Sequence, residues 1–131
     1  MVEITAYSPS MFELAQGLML SQKYVGFDVI TPEGLPKCGF IAHDSATLLA
    51  MGFLRIVEGG YAQIDTLVSN GDLSSAMRHE GISMVVNALI EQAKVLKLKG
   101  IIAFSEDTGV LSRAEALGFK TIPQTIIVLS L

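Results

Sequence analysis

Residues 69–83 contain the side chains of this sequence that are best suited to bind an anion. The stretch ends in Arg78-His79-Glu80-Gly81-Ile82-Ser83, at the predicted start of a long helix. The first turn of a helix has backbone N–H groups without intrahelical partners and carries the positive end of the dipole, which favours a phosphate. Arg78 can pair with an anion, Gly81 lets a ligand approach the backbone, and Ser83 adds a hydroxyl. Taken alone, R-x-x-G-x-S also fits an ordinary helix start after a polar loop.

Four other polar residues have competing interpretations. Asp65, near the end of a predicted strand, is either a general base acting through water or a solvated carboxylate. His79 either donates to an anion when protonated or is an exposed loop residue. His43 is interpreted as a turn residue. Cys38 is interpreted as a structural thiol, because no base for it is evident. As the only cysteine, it excludes an internal disulfide and the usual zinc-cluster spacings, so no metal is expected.

The composition indicates one folded domain over residues 1–131. Half of the residues are hydrophobic and 17% are charged, which excludes intrinsic disorder. The net charge of −4 argues against duplex nucleic acid as a partner, since such proteins present a cationic face. The apolar runs 46–53 and 126–129 are too short to cross a bilayer. We therefore expect a cytoplasmic protein with neither nucleic acid nor membrane as a partner.

The first part of the chain predicts a strand and a helix. Residues 2–7 alternate in polarity as a strand does. A helix follows to about Leu20, and it begins either at Pro9 or at a capping box of Ser10 and Glu13. Residues 24–37 predict a loop because they contain two prolines and two glycines. The predicted inner face of the helix consists of Met11, Leu14, Ala15 and Leu18.

The middle of the chain predicts strands that pair with their sequence neighbours. Residues 39–43, 46–57 and 61–68 are extended runs separated by short turn signals, which favours an antiparallel meander. The apolar residues between Ile82 and Leu96 then recur at helical spacing, and Gly100 is the predicted stop.

The last part of the chain completes an α/β fold of the α+β type. Residues 100–105 predict a buried strand, and a helix follows from about Thr108 to Leu117 with Gly118 as its stop. Residues 119–131 are predicted to be extended, with a break at Pro123-Gln124. The expected order is β-α-β-β-β-α-β-α-β-β, a mixed and mostly antiparallel sheet of six to seven strands with about three helices.

These blocks resemble the GNAT superfamily of N-acetyltransferases over residues 38–131. The Arg78–Ser83 hexapeptide is similar to the Q/R-x-x-G-x-G/A pyrophosphate loop of that family. FIAHDSATLLAMGFLRI and YAQIDTLVSN look like its second to fourth strands. The helix 82–97 followed by LKGIIAFSED resembles its third helix and fifth strand, and DTGVLSRAEALGFKTI is similar to its N-x-x-A-x-x-x-Y-x-x-L-G-F signature.

The resemblance implies an acyl-CoA site. Backbone N–H groups of the hexapeptide would hold the pyrophosphate of acetyl-CoA. Leu67 and Val68 would pair by their backbone with the pantetheine arm, and one N–H there would polarise the thioester carbonyl. Asp107 stands where the family often has an asparagine that contacts the cofactor. The implied cofactor-binding residues are Leu67, Val68, Arg78, His79, Glu80, Gly81, Ile82, Ser83 and Asp107.

Three departures from the family pattern bear on activity. Ser83 replaces a small Gly or Ala, and the stretch from Val68 to Arg78 is several residues longer than usual. Ala114 occupies the position at which many members have a tyrosine that protonates the leaving CoA thiolate. No catalytic residue is therefore assigned.

The leading hypothesis is an acyl-CoA-dependent N-acyltransferase that transfers an acetyl group to an amine by direct attack. The acidic net charge mildly favours a cationic amine. One alternative is a catalytically silent GNAT-fold module with a binding or structural role. The high apolar content suggests a homodimer. Another alternative is an unrelated α/β domain, which would lack a splay between the fourth and fifth strands.

Overall fold

The computed structural model describes residues 1–22, 31–105, 108–123, 127 and 129. In this part of the chain the elements follow the predicted order as far as the third helix. The strands are β1 Glu3–Ala6, β2 Cys38–Asp44, β3 Thr47–Val57, β4 Tyr61–Ser69 and β5 Gly100–Ile102. The helices are α1 Phe12–Ser21, α2 Ser75–Val95 and α3 Thr108–Ala116, and single 3-10 turns lie at Pro9–Met11 and Pro32–Gly34.

The described strands form one mixed sheet in the order β1-β2-β3-β4-β5. Neighbouring strands from β1 to β4 are antiparallel, and β4 and β5 are parallel. The predicted meander and mixed sheet are therefore confirmed. The described residues form five strands, one or two fewer than predicted, and residues 119–123 are not part of them. Gln124 and most of the predicted last strand lie outside the described residues, as do residues 24–30 of the predicted loop.

The sheet has a hydrophobic core on each face. On one face α1 packs its Ala15 and Leu18 against the side chains of Met51 and Phe53. On the other face α2 covers Ala50, Leu54 and Ala62. Because successive residues of a strand point to opposite faces, β3 supplies both cores and is buried almost continuously from Leu49 to Leu54.

The start and inner face of α1 differ from the prediction in two respects. The Ser10–Glu13 capping box does not form: the Ser10 hydroxyl bonds the Ser8 hydroxyl (2.8 Å), and the α1 N-cap has no side-chain bond. Pro9 instead opens a 3-10 turn, as its fixed φ favours. Leu14 is half exposed, and Met19 takes its place in the core. The buried residues Ala15, Leu18 and Met19 have i, i+3, i+4 spacing and so share one helix face. Leu14 comes one residue before this face begins.

The long helix α2 begins and ends at other residues than predicted. It starts at Ser75, because the Ser74 hydroxyl accepts a hydrogen bond from the Met77 N–H (3.3 Å) and caps the first turn. It ends before Lys97, which adopts the left-handed conformation (φ 57°) although it is not a glycine. The Leu98 N–H then bonds the Ala93 carbonyl (3.0 Å), a Schellman motif. The predicted stop, Gly100, is instead the first residue of β5.

Candidate functional site

Strands β4 and β5 separate along their length. They pair only from Tyr61 with Gly100 to Gln63 with Ile102, whereas β4 continues to Ser69. From Ile64 onward, β4 therefore has no strand partner on this side within the described residues. This is the splay that the unrelated-domain alternative predicted to be absent, so that alternative is not supported.

A β-bulge bends β4 at the splay. Met51 pairs with Val68 and Phe53 with Asp65, so Thr66 and Leu67 together lie opposite one residue of β3. Thr66 has a positive φ of 49°. A bulge bends the strand and increases its twist, and this one lies where β4 continues beyond its pairing with β5. The Leu67 and Val68 side chains contribute to opposite cores, so the backbone is what these residues present at the open edge.

The connection from β4 to α2 is ordered by side-chain hydrogen bonds. The Asn70 N–H and side-chain amide donate to the Leu49 and Leu48 carbonyls (2.7 and 2.8 Å). The Asn70 side-chain oxygen accepts from the Asp72 N–H (3.0 Å), which makes an Asx turn. The extra length between Val68 and Arg78 thus consists of this turn and the added first turn of α2.

The end of α1 fixes the same connection from its other side. The Gln22 amide donates to the Ser69 carbonyl (2.7 Å) and to its hydroxyl (3.1 Å). The Gly71 N–H donates to the Ser21 hydroxyl (3.1 Å). The end of β4 is therefore held in place before α2 begins.

A cleft of about 180 Å³ opens between the end of β4, the start of α2 and α3. The Arg78 Nε donates to the Ser69 hydroxyl (3.1 Å), which holds this guanidinium at the end of β4. Arg113 of α3 lines the cleft too, and none of the described lining residues is acidic. Neither arginine forms a salt bridge with any residue that the structure describes. The lining residues are Ser69, Ser75, Arg78, His79, Ile82 and Arg113.

The first turn of α2 adds to this positive potential. The Arg78 N–H makes the first helical bond, to the Ser74 carbonyl (3.0 Å), and the Met77 N–H is capped. The N–H groups of Ser75 and Ala76 precede these and have no intrahelical acceptor. The first turn contains no acidic residue. Helix dipole, free N–H groups and guanidinium groups all favour an anion in the cleft.

The predicted hexapeptide lies within α2 and not in a loop before it. Its residues Arg78, His79 and Ile82 line the cleft, because with Ser75 they have i, i+3, i+4, i+7 spacing on one helix face. Glu80 is exposed and Ser83 is half-buried outside the cleft.

Gly81 faces the sheet. A Cβ at this position would lie 2.7 Å from the Leu49 Cβ and 3.2 Å from the Ala50 Cβ. The close approach that Gly81 permits in this structure is between helix and sheet, and its contact with a ligand stays a prediction.

The remaining predicted cofactor residue, Asp107, lies outside the described residues. Sequence reasoning missed three cleft residues, Ser69, Ser75 and Arg113. The signal for Ser75 was present: with Ser74 as the N-cap, it falls on the helix face of Arg78 and His79. Arg113 had no such signal, since only the packing of α3 brings it to the cleft.

Asp65 and the other polar candidates have structural partners. The Asp65 carboxylate pairs with the Arg55 guanidinium (2.6 Å) and accepts from the Thr66 hydroxyl (2.9 Å). The Asp65 carboxylate thus has two polar partners within the sheet, which favours the structural interpretation. His43 lies in β2 and bonds the Thr5 hydroxyl (2.8 Å) across to β1, so its interpretation as a turn residue was wrong. Burial raises the pKa of the Cys38 thiol, as suits a structural cysteine.

Neither a metal site nor a membrane span is found among the described residues. No three His, Cys, Asp or Glu side chains among them are grouped so as to hold a metal ion. None of their helices has the length and apolar character needed to cross a membrane.

Comparison with known proteins gives structural matches only. No family model matches the sequence, and no curated protein is significantly similar to it. A GNAT-family acetyltransferase from Streptococcus pneumoniae superposes with a TM-score of 0.78 at 12% identity, covering 99% of this chain and 98% of that chain.

Two further solved structures are similar over most of their length. A Mycobacterium tuberculosis protein solved in complex with CoA gives a TM-score of 0.75 at 16% identity, covering 96% of this chain and 76% of that chain. The glucosamine-6-phosphate N-acetyltransferase of Arabidopsis thaliana gives 0.71 at 14% identity, covering 98% of both chains. The chain therefore has the fold of the GNAT acetyltransferases, as its sequence pattern predicts.

Proposed function

We propose that this chain is an acyl-CoA-dependent N-acyltransferase that transfers an acetyl group from acetyl-CoA to an amine. The single observation that carries the proposal is the cationic cleft at the start of α2, directly beside the splay of β4 and β5. The cleft suits a pyrophosphate, and the free edge of β4 suits the amide groups of a pantetheine arm. Solved neighbours support this assignment, since one is in complex with CoA and another is named for acetylating an aminosugar.

The reaction follows from placing the thioester at the bulge. The amine lone pair attacks the thioester carbonyl carbon, and a backbone N–H at Leu67 or Val68 stabilises the oxyanion. The C–S bond then breaks, an amide forms, and CoA leaves as a thiolate. The attacking nitrogen loses its proton to solvent.

The departing thiolate has no protein proton donor at position 114. Ala114 in α3 occupies the place of the tyrosine that the family resemblance suggests. With a thiol pKa of about 8.5, a thiolate can leave as the anion and take its proton from water. The chemistry thus needs positioning and oxyanion stabilisation more than a dedicated acid.

A catalytically silent acyl-CoA-binding module is the second candidate. Ala114 favours it, because an alanine cannot donate a proton to the departing thiolate. The cytoplasmic location and the homodimer stay predictions from the sequence.

Calorimetric titration with acetyl-CoA tests the proposal. We expect saturable binding, weakened about 10- to 100-fold in Arg78→Ala, because hydrogen bonds to charged groups contribute about 1.5–3 kcal/mol. Lys120→Ala is the matched control: it also removes one positive charge but lies outside the cleft, so its affinity should equal that of the wild type.

The two candidates separate in a thiol-release assay with a panel of amines. Release of the CoA thiol from acetyl-CoA that depends on an added amine supports the enzyme. Binding without release supports the silent module, and no binding at millimolar acetyl-CoA contradicts both.

A further inference from the structure

Among the described lining residues of the cleft, Arg113 comes from α3 and the others come from β4 or α2. We propose that Arg113 is a further residue that binds the acyl donor: it joins Arg78 in the anion site and binds the pyrophosphate of the acyl donor from α3. This inference rests on the proposed function, and it assigns to a side chain of α3 a part that the sequence pattern gave to backbone N–H groups.

The position of Gly81 makes side chains necessary in this role. Gly81 faces Leu49 from the second turn of α2, and at this depth in the helix the backbone N–H groups bond carbonyls one turn earlier and are not free for a ligand. The free N–H groups of the first turn, at Ser75 and Ala76, remain as the backbone contribution. Side-chain donors of Arg78, His79 and Arg113 must therefore supply the rest of the charge that a pyrophosphate requires.

The electrostatics of the cleft point to a multiply charged anion. Arg78 and Arg113 bring two guanidinium groups to one cleft of a chain whose net charge is −4. In the described part of the chain neither has a carboxylate partner, and the cleft lining includes none. Two like charges facing one small space repel each other, and an anion with two negative charges relieves that repulsion. Guanidinium groups also bind phosphoryl oxygens in bidentate fashion.

Binding of an anion by Arg113 should also affect α3 itself, because this helix packs weakly. No residue of α3 is buried, so its position against α2 depends little on a hydrophobic core. An anion bound by Arg113 and Arg78 together links α3 to α2. Binding should therefore order α3 as well as fill the cleft.

The test is calorimetric titration of CoA and, separately, of inorganic pyrophosphate into four proteins: wild type, Arg113→Ala, Arg113→Lys and the control Lys120→Ala. Arg113→Ala should bind both ligands at least about tenfold more weakly than the wild type, the loss of one charged hydrogen-bond donor. Arg113→Lys should lie between the two, because an ammonium keeps the charge but not the planar fork. Lys120→Ala should match the wild type. Unchanged thermal unfolding without ligand confirms that Arg113→Ala is folded, as its exposed position predicts.

The outcomes distinguish this inference from the proposed function. Wild-type affinity of Arg113→Ala for CoA overturns the role of Arg113 and leaves the acyl-CoA site standing. An equal loss of CoA affinity in Arg113→Ala and Lys120→Ala also overturns the role of Arg113, because the change in net charge would then explain the loss. If the wild type binds pyrophosphate through Arg113 but does not bind CoA, the anion site is supported and the proposed function is contradicted.

Discussion

Helices α2 and α3 form two walls of one cleft, yet the protein holds them very differently. Each contributes an arginine to the cleft, and each ends in a Schellman motif. However, α2 buries five residues against the sheet, among them Val85 and Leu89, whereas α3 buries none. One wall is thus fixed by the core and the other is held by few buried contacts. A ligand that bridges them gains a preformed surface on α2 and orders α3.

The largest expected effect comes from truncating a core leucine of α2. Leu89 is 0% exposed, so Leu89→Ala should lower the free energy of unfolding by about 2–5 kcal/mol. Leu117, directly after α3, is 46% exposed, and Leu117→Ala should cost less than about 1 kcal/mol. Urea denaturation of both variants measures the difference. Similar losses would contradict the distinction between a fixed and a weakly held helix.

A methyl group added at Gly81 should reveal how closely α2 approaches the sheet. The new Cβ would meet the Leu49 Cβ, an atom that no side-chain rotation can move, so the helix must shift. Overpacking costs about 1–3 kcal/mol and better helix propensity returns about 1, so Gly81→Ala should destabilise by up to about 2 kcal/mol.

Gly17 in α1 is the matched control for Gly81. A Cβ at Gly17 would have nothing within 4 Å, so Gly17→Ala should stabilise by about 0.5–1 kcal/mol. Thermal unfolding compares the two variants. A stabilised Gly81→Ala would show that the helix–sheet distance is larger than described.

The smallest expected change in stability comes from the Schellman motifs that end α2 and α3. Lys97 and Gly118 occupy equivalent left-handed positions, with φ of 57° and 97°. Lys97→Gly should raise the free energy of unfolding by up to about 1 kcal/mol, because glycine avoids the Cβ clash. Gly118→Ala should have an effect of similar size and opposite sign, and it should appear mainly as faster amide exchange in α3. A global loss on Gly118→Ala would mean that α3 unfolds together with the core.

The sequence predicted the elements better than their ends. The meander was predictable because turn residues separate three runs of β-forming residues, and the apolar period of α2 was equally clear. The start of α2 was missed because the polar residues Ser75–Glu80 look like a loop, although Ser74 is a good N-cap. Its end was missed because Lys97 takes a conformation that glycine usually takes, which moved the expected stop to Gly100.

The cleft was predictable only in part. Arg78 and His79 were found because they are close in sequence to the predicted helix start. Gly81 was predicted to contact a ligand. The sequence motif does not show whether this glycine faces solvent or the sheet, and in the structure it faces the sheet. Arg113 was missed, because its place at the cleft depends on how α3 packs, and no local pattern encodes that.

Amide hydrogen exchange with and without saturating CoA tests the central claim most directly, because it reports where the ligand acts. Occupation of the cleft predicts slower exchange in the first turn of α2, at the open end of β4 and throughout α3, with the largest change in α3 and none in β1. A separate cleft lies between the end of α2, β5 and the residues after α3, and its lining includes Lys94, Lys99 and Lys120. Protection confined to that cleft, or no change at a CoA concentration that saturates binding, would contradict the account.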